Sequence, residues 1–214
     1  MKAFAEMWQA YRYGYYIILH PFKGFRELKE QKIGRLSASM LTLIIMIITN
    51  VTVKLYTGFI FNNNNLLTVN LLLEIAAFVM IFFLWCTVNW CLTTLMDGEG
   101  SFTQIINATA CALTPYYMIN IPVTVLSRFL IREEQTFSTL ITAVAIIWTA
   151  ALIFASVLVT HDYTASKALT TCLLIVVGIA IVIFLGMLFI STIGQIVAFI
   201  RSAVIEILYR IQGV

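Results

Sequence analysis

Charge is the scarcest property of this chain. Only 11% of its 214 residues are Asp, Glu, Lys or Arg, and 61% are hydrophobic, whereas a soluble domain carries about 25% charge and about 45–50% apolar residues. That shortage excludes a chain of this size with water on all sides, and bilayer hydrocarbon is the solvent that suits it. Histidine occurs twice and cysteine four times, at Cys86, Cys91, Cys111 and Cys172, all within apolar runs and without ligand spacing. No metal site is expected from them, and they read as small buried hydrophobes. No catalytic or nucleotide-binding constellation stands out, so neither a cofactor nor enzyme activity is expected. A cleavable signal is not expected either. The first long apolar run begins only near Leu36, after a charged and aromatic stretch, and neither end carries a lipidation box.

What is present is long apolar runs. Five of them, at about 37–59, 71–95, 105–130, 138–160 and 168–199, supply the roughly 20 helical residues that a 30 Å hydrocarbon core demands. Helix is the expected conformation, because lipid offers no partner to an unpaired backbone group and no strand alternation appears. The sequence therefore predicts an all-α, polytopic membrane helix bundle over residues 36–200. The connections are short, at 60–70 with four consecutive asparagines, 96–104, 131–137 and 161–167. They leave no room for an inserted soluble domain.

Basic residues set the expected orientation. Residues 1–35 hold seven of them (Lys2, Arg12, Lys23, Arg26, Lys29, Lys32, Arg35) against Glu6, Glu27 and Glu30. With that end cytoplasmic, Lys167 joins the inner side, and Lys54, Arg128, Arg132, Arg201 and Arg210 fall outside. The N-terminus is thus expected inside and the C-terminus outside a plasma membrane. Within 1–35, Phe4, Trp8, Tyr11, Tyr15 and Ile18 share a helical face, and His20-Pro21 should break the helix. A second short helix would turn Phe22, Phe25 and Leu28 to lipid and Lys23, Arg26 and Lys29 to water and headgroups. The competing reading packs the aromatics on the bundle. Nucleic-acid binding is a poor competitor, since the basic residues are dilute. At the other end, 201–214 reads as an amphipathic tail lying on the outer surface, with Arg201, Glu206 and Arg210 among isoleucines.

Polar groups inside apolar runs are weighed singly, because lipid makes them costly. Lys54 and Glu74 fall at the same outer level of a hairpin, where they can pair or snorkel separately to water. Asn89, between Trp85 and Trp90, reads as a helix-bridging group beside interface anchors, and Asn107 and Asn120 read the same way. Pro115 and Pro122 kink or break the third run. Broken helices build transport sites in some membrane proteins, but the paired repeats and intramembrane charge that go with them are missing, so a packing kink is favoured. Gly186, Gly194, Ala198 and Ser202, at multiples of four, make a face for close helix approach, inside the bundle or to a partner.

The most distinctive loop is Asp97-Gly98-Glu99-Gly100-Ser101-Phe102, followed by Gln104. Its two carboxylates have no third ligand and no nearby nucleophile. Asp-Gly suits a turn and Ser101 suits a helix cap, so a docking or folding role is favoured over catalysis.

Together, His20-Pro21-Phe22 with Phe25 and Leu28, Asn89-Trp90, Thr94-Leu95, the Asp97–Gln104 loop and Ala112-Leu113-Thr114-Pro115 resemble bacterial members of the Yip family. These small membrane proteins are named from eukaryotic relatives that interact with Ypt/Rab GTPases. The resemblance covers nearly the whole chain and implies a five-span bundle that binds other membrane proteins or organises membrane, with no known chemistry. The first span has no Asp-Leu-Tyr-Gly-Pro element, so GTPase binding is not carried over. Bacterial look-alikes are often met beside genes for carbohydrate ABC importers, which implies an accessory subunit bound to such a transporter. The expected function is therefore a non-catalytic membrane scaffold or accessory subunit, the alternative being a small autonomous transporter or channel for a solute, ion or lipid. Expected partners are the lipid bilayer and another integral membrane protein, ABC transporter subunits among them. Nothing in the pattern sets an oligomeric state.

Overall fold

The structure is a computed structural model and describes residues 2–30, 36–57, 70–131 and 134–212. The four asparagines at 62–65, Lys32, Arg35 and Arg132 lie outside the described residues, as does the side chain of Phe4. Among the described residues there are eight helical segments and no strand. They are α1 (Lys2–Leu19), α2 (Pro21–Glu30), α3 (Leu36–Tyr56), α4 (Leu71–Leu95), α5 (Phe102–Ala112), α6 (Thr114–Leu126), α7 (Gln135–Thr160) and α8 (Ala165–Gln212). Five units are long and apolar enough to cross a bilayer: α3, α4, α5 together with α6, α7, and α8.

Local chemistry sets several helix ends. The Asn70 side chain accepts the Leu73 N–H at 3.2 Å and starts α4. Ser101 and Gln104 form a reciprocal capping box that starts α5. The third span breaks at Leu113 because Pro115 has no N–H to offer the carbonyl of Cys111. The Thr114 hydroxyl donates to that carbonyl instead, at 2.7 Å, and the chain restarts as α6 with the proline in its first turn. Pro122 lies inside α6, which runs through it.

Helix α5 is central. Its Ala108 and Ala112 pack with Leu152, Ala155 and Val159 of α7, while Ile105, Ile106 and Ala110 pack with Leu43 of α3 and Phe82 and Cys86 of α4. The alanines let backbones approach closely, which matters in lipid, where dispersion contacts rather than water exclusion hold helices together.

The N-terminal hairpin departs from the interfacial reading. Ile17, Phe25 and Leu28 belong to the α5·α7 core, with Phe25 only 1% exposed. Tyr11 stacks on Tyr117 and packs with Met46 in mid-span. Phe25 and Leu28 therefore face protein, not lipid, whereas Trp8 and Phe22 are exposed. Gly24 makes the tight α1–α2 turn possible, since a Cβ there would lie 2.7 Å from Ile17 Cγ1. Tyr13 Oη donates to Glu27 Oε2 at 2.6 Å and ties the two helices together.

The fifth run also differs from expectation. No break separates a tail at 201: α8 is one helix of 48 residues, about 72 Å long at 1.5 Å per residue. The stretch holds no proline to stop it. From Ile181 to Arg210 nearly every residue is exposed.

Candidate functional site

Helices α4 and α7 end side by side in the same way. Asp97 after α4 has φ 56° and Asp162 after α7 has φ 51°, the left-handed region that Asp tolerates better than most residues. In each case the next N–H turns back onto the helix. Gly98 N–H reaches the Thr93 carbonyl at 2.8 Å, and Tyr163 N–H reaches that of Leu158 at 3.0 Å. Both are Schellman closures with aspartate where glycine is usual.

The two helix ends are joined by side chains. Tyr163 Oη donates to the Met96 carbonyl at 3.1 Å, satisfying an acceptor at the end of α4. The Lys167 ammonium lies 4.4 Å from the centre of the Tyr163 ring. His161, the residue after α7, is 2% exposed, stacks on Tyr163, and accepts the Gly100 N–H through Nδ1 at 3.3 Å. That bond leaves the ring proton on Nε2, which has no hydrogen-bond partner among the described residues. Burial first, and the nearby Lys29 ammonium second, lower its pKa to about 4. In the sequence His161 only begins the 161–167 connection; in the fold it is the floor under Gly98 and Gly100.

That floor explains the glycines. A Cβ at Gly98 would sit 2.7 Å from His161 Nδ1 and 2.7 Å from Tyr163 Oη, and one at Gly100 would sit 2.6 Å from His161 Cε1. The pattern Gly-Glu-Gly is needed for close approach of backbone to imidazole.

Lys29, in the last turn of α2, closes the site. Its Nζ lies 3.2 Å from Glu99 Oε2 and donates to Asp162 Oδ2, with the lysine side chain 18% exposed and the carboxylates 67% and 55% exposed. A cation here also meets the negative ends of α2 and α7. Burial would lower the Lys29 pKa, but the bonds to Asp162 and Glu99 outweigh it and raise it. The Lys29 bond in turn lowers that of Asp162. The expectation that Lys29 faces water and headgroups is thereby corrected. No signal in 1–35 marks Lys29 off from Lys23, which is exposed.

At the opposite end, Lys54 Nζ lies 2.5 Å from Glu74 Oε2. Arg128 Nε donates to the Tyr56 carbonyl at 3.2 Å. In the bundle, Asn107 Oδ1 accepts from Ser39 Oγ at 2.5 Å, bridging α5 to α3, and Asn120 donates to the Tyr116 carbonyl within its own helix. Asn89 is buried, and its Oδ1 has no partner among the described residues. Among the described residues the small-residue face of α8 is not packed inside the bundle: Gly186 and Gly194 have nothing within 4 Å of an added Cβ, and Ala198 and Ser202 are exposed. The glycine that does meet a neighbouring helix is Gly178, where a Cβ would lie 2.8 Å from Val88 Cγ1. Among the described residues, no group of three or more His, Cys, Asp or Glu could hold a metal ion.

Five apolar spans, with the first, second and fourth packed on a proline-broken third and the fifth on the second and fourth, define an integral membrane helix bundle, with one end closed by a lysine beneath two exposed carboxylates. A family model, the Yip1 domain, matches residues 15–205, and the chain belongs to that family. No curated protein and no solved structure matches it.

Proposed function

We propose that this Yip1-family chain is a non-catalytic membrane scaffold or accessory subunit that docks another integral membrane protein through the Asp97–Gln104 loop. The observation that carries this reading is a loop held rigidly from beneath yet chemically open above. His161, Tyr163, Lys29 and the Ser101 cap fix the backbone, while the Glu99 and Asp162 carboxylates and the Phe102 ring remain exposed. A pre-ordered surface loses little freedom on binding. The free face of α8, with Gly186, Gly194, Ala198 and Ser202, is a second contact surface in this reading. The N-terminus is taken as cytoplasmic, which puts the loop on the inner side of the plasma membrane. Carbohydrate ABC importer subunits are the partner class first in line.

Affinity purification from native membranes in mild detergent, with mass spectrometry of co-eluting chains, tests the proposal. A stoichiometric membrane complex lost on Glu99→Lys supports it. A monodisperse particle of this chain alone overturns it. The break of the third span at Leu113 favours a second reading, a small transporter or channel. Liposomes containing the chain that pass no candidate solute, ion or lipid would rule that reading out.

A further inference from the structure

A cleft of about 250 Å³ opens between α2, the start of α5 and the end of α7. Phe25 and Leu28 form an apolar side; Lys29, Thr103, Gln104 and Thr160 form a polar one. Gln104 lies in the first turn of α5 and Thr160 is the last residue of α7. The cleft thus sits where two spans leave the hydrocarbon. Trp90 and Phe102, edge to face with ring centres 6.0 Å apart, mark the same level.

Two groups on the polar side, Gln104 and Lys29, present N–H donors. The Gln104 carbonyl oxygen is held by the Ser101 N–H at 2.9 Å and by the Ser101 hydroxyl at 3.0 Å. The amide end left to the cleft is therefore the NH₂ group. Lys29 brings an ammonium with three N–H bonds, of which Glu99 and Asp162 take two. The two carboxylates do not line the cleft but reach it through Lys29, which they hold, and each is more than half exposed. An anionic ligand would fit the donors but meet two carboxylates. A ligand with both charges fits both.

We propose that the cleft seats the headgroup of a membrane phospholipid carrying a phosphodiester and an ammonium group. The phosphate lies against Lys29 and Gln104, the ammonium faces Glu99 and Asp162, and the glycerol end rests toward Phe25 and Leu28. The site shares Glu99, Asp162 and Gln104 with the docking surface, but lipid retention is read on the purified chain without a protein partner, so the two readings fail separately.

The full chain, purified in detergent and stripped of lipid, is offered equal amounts of phosphatidylethanolamine, phosphatidylglycerol and diacylglycerol, and retained lipid is read by native mass spectrometry. Phosphatidylethanolamine is expected at one per chain, with the other two retained at least about tenfold less, the worth of one charge-assisted contact. Gln104→Glu keeps the capping box, since Glu serves that position as well as Gln, but puts carboxylate oxygen where the NH₂ was. It should lose about tenfold in phosphatidylethanolamine retention with an unchanged unfolding temperature. Glu99→Gln, at an exposed position, should narrow the preference for phosphatidylethanolamine over phosphatidylglycerol. Equal retention of the two phospholipids by the unmodified chain overturns the proposal, as does full retention by Gln104→Glu. Displacement by water-soluble glycerophosphoethanolamine at the lipid's own concentration would assign the site to a soluble headgroup and overturn the membrane source.

Discussion

Lys29 and Asp162 form an ion pair across 133 positions of sequence. The lysine lies in the last turn of α2 and the aspartate just after α7, so this contact adds a polar tie, beside the packing of Phe25 and Leu28, between the N-terminal hairpin and the connection between the last two spans.

Because Asp162 is 55% exposed, solvent screening limits what the pair is worth. A double-mutant cycle of Lys29→Ala and Asp162→Ala, read by unfolding in mild detergent, should give a coupling of about 0.5–1 kcal/mol. Hydrogen exchange at 97–101 should rise in both single variants by a similar factor. Exchange unchanged in Lys29→Ala would mean that the lysine does not hold the loop.

The site also dictates how stability depends on pH. The Asp162 pKa is lowered in the fold, so its contribution is complete above the unfolded value of 3.8 and is lost as pH falls through the lower folded value. The Lys29 pKa is raised, so its contribution is complete below 10.5 and is lost as pH rises through the higher folded value. His161 acts earlier on the acid side. Between its ordinary 6.5 and about 4 the unfolded chain binds a proton that the fold refuses, so stability falls as pH drops through that window. His161→Gln, whose amide oxygen can still accept the Gly100 N–H, should flatten the unfolding temperature between pH 6.5 and 4. A slope equal to that of the unmodified chain would contradict the buried neutral imidazole.

Gly100→Ala should destabilise the fold by about 1–3 kcal/mol, the usual penalty for overpacking, because its Cβ would lie 2.6 Å from the His161 ring. Adding His161→Ala should recover part of that loss, making the pair less than additive. Strict additivity in thermal unfolding would show that the glycine serves some other need.

Two glycines of α8 should behave oppositely. Gly178→Leu forces α8 away from Val88 of α4 and should lower the unfolding temperature, whereas Gly186→Leu meets open space and should leave it unchanged. If the free face of α8 is a contact surface, Gly186→Leu should still reduce co-purification of the partner. An unchanged complex would remove that face from the interface.

Hydropathy alone determined that this protein is all-α and has five spans. A helix satisfies its backbone within itself, and lipid imposes that demand on every long apolar run, so no distant residue is consulted. The break near Pro115 and the turn at Asp97-Gly98 are equally local, each set by residues within one helical turn. Tertiary structure alone decided that Phe25 and Leu28 face α5 and α7 and that Lys29 lies beneath Glu99 and Asp162. It also decided that His161 is a buried floor. An apolar helix face is satisfied equally by lipid tails and by neighbouring side chains, so the pattern in 1–30 is the same for a helix on the membrane and one packed into the bundle. Which of several exposed-looking lysines is captured depends on where two distant helix ends meet, and that meeting is written only in the packing of α2 against α7.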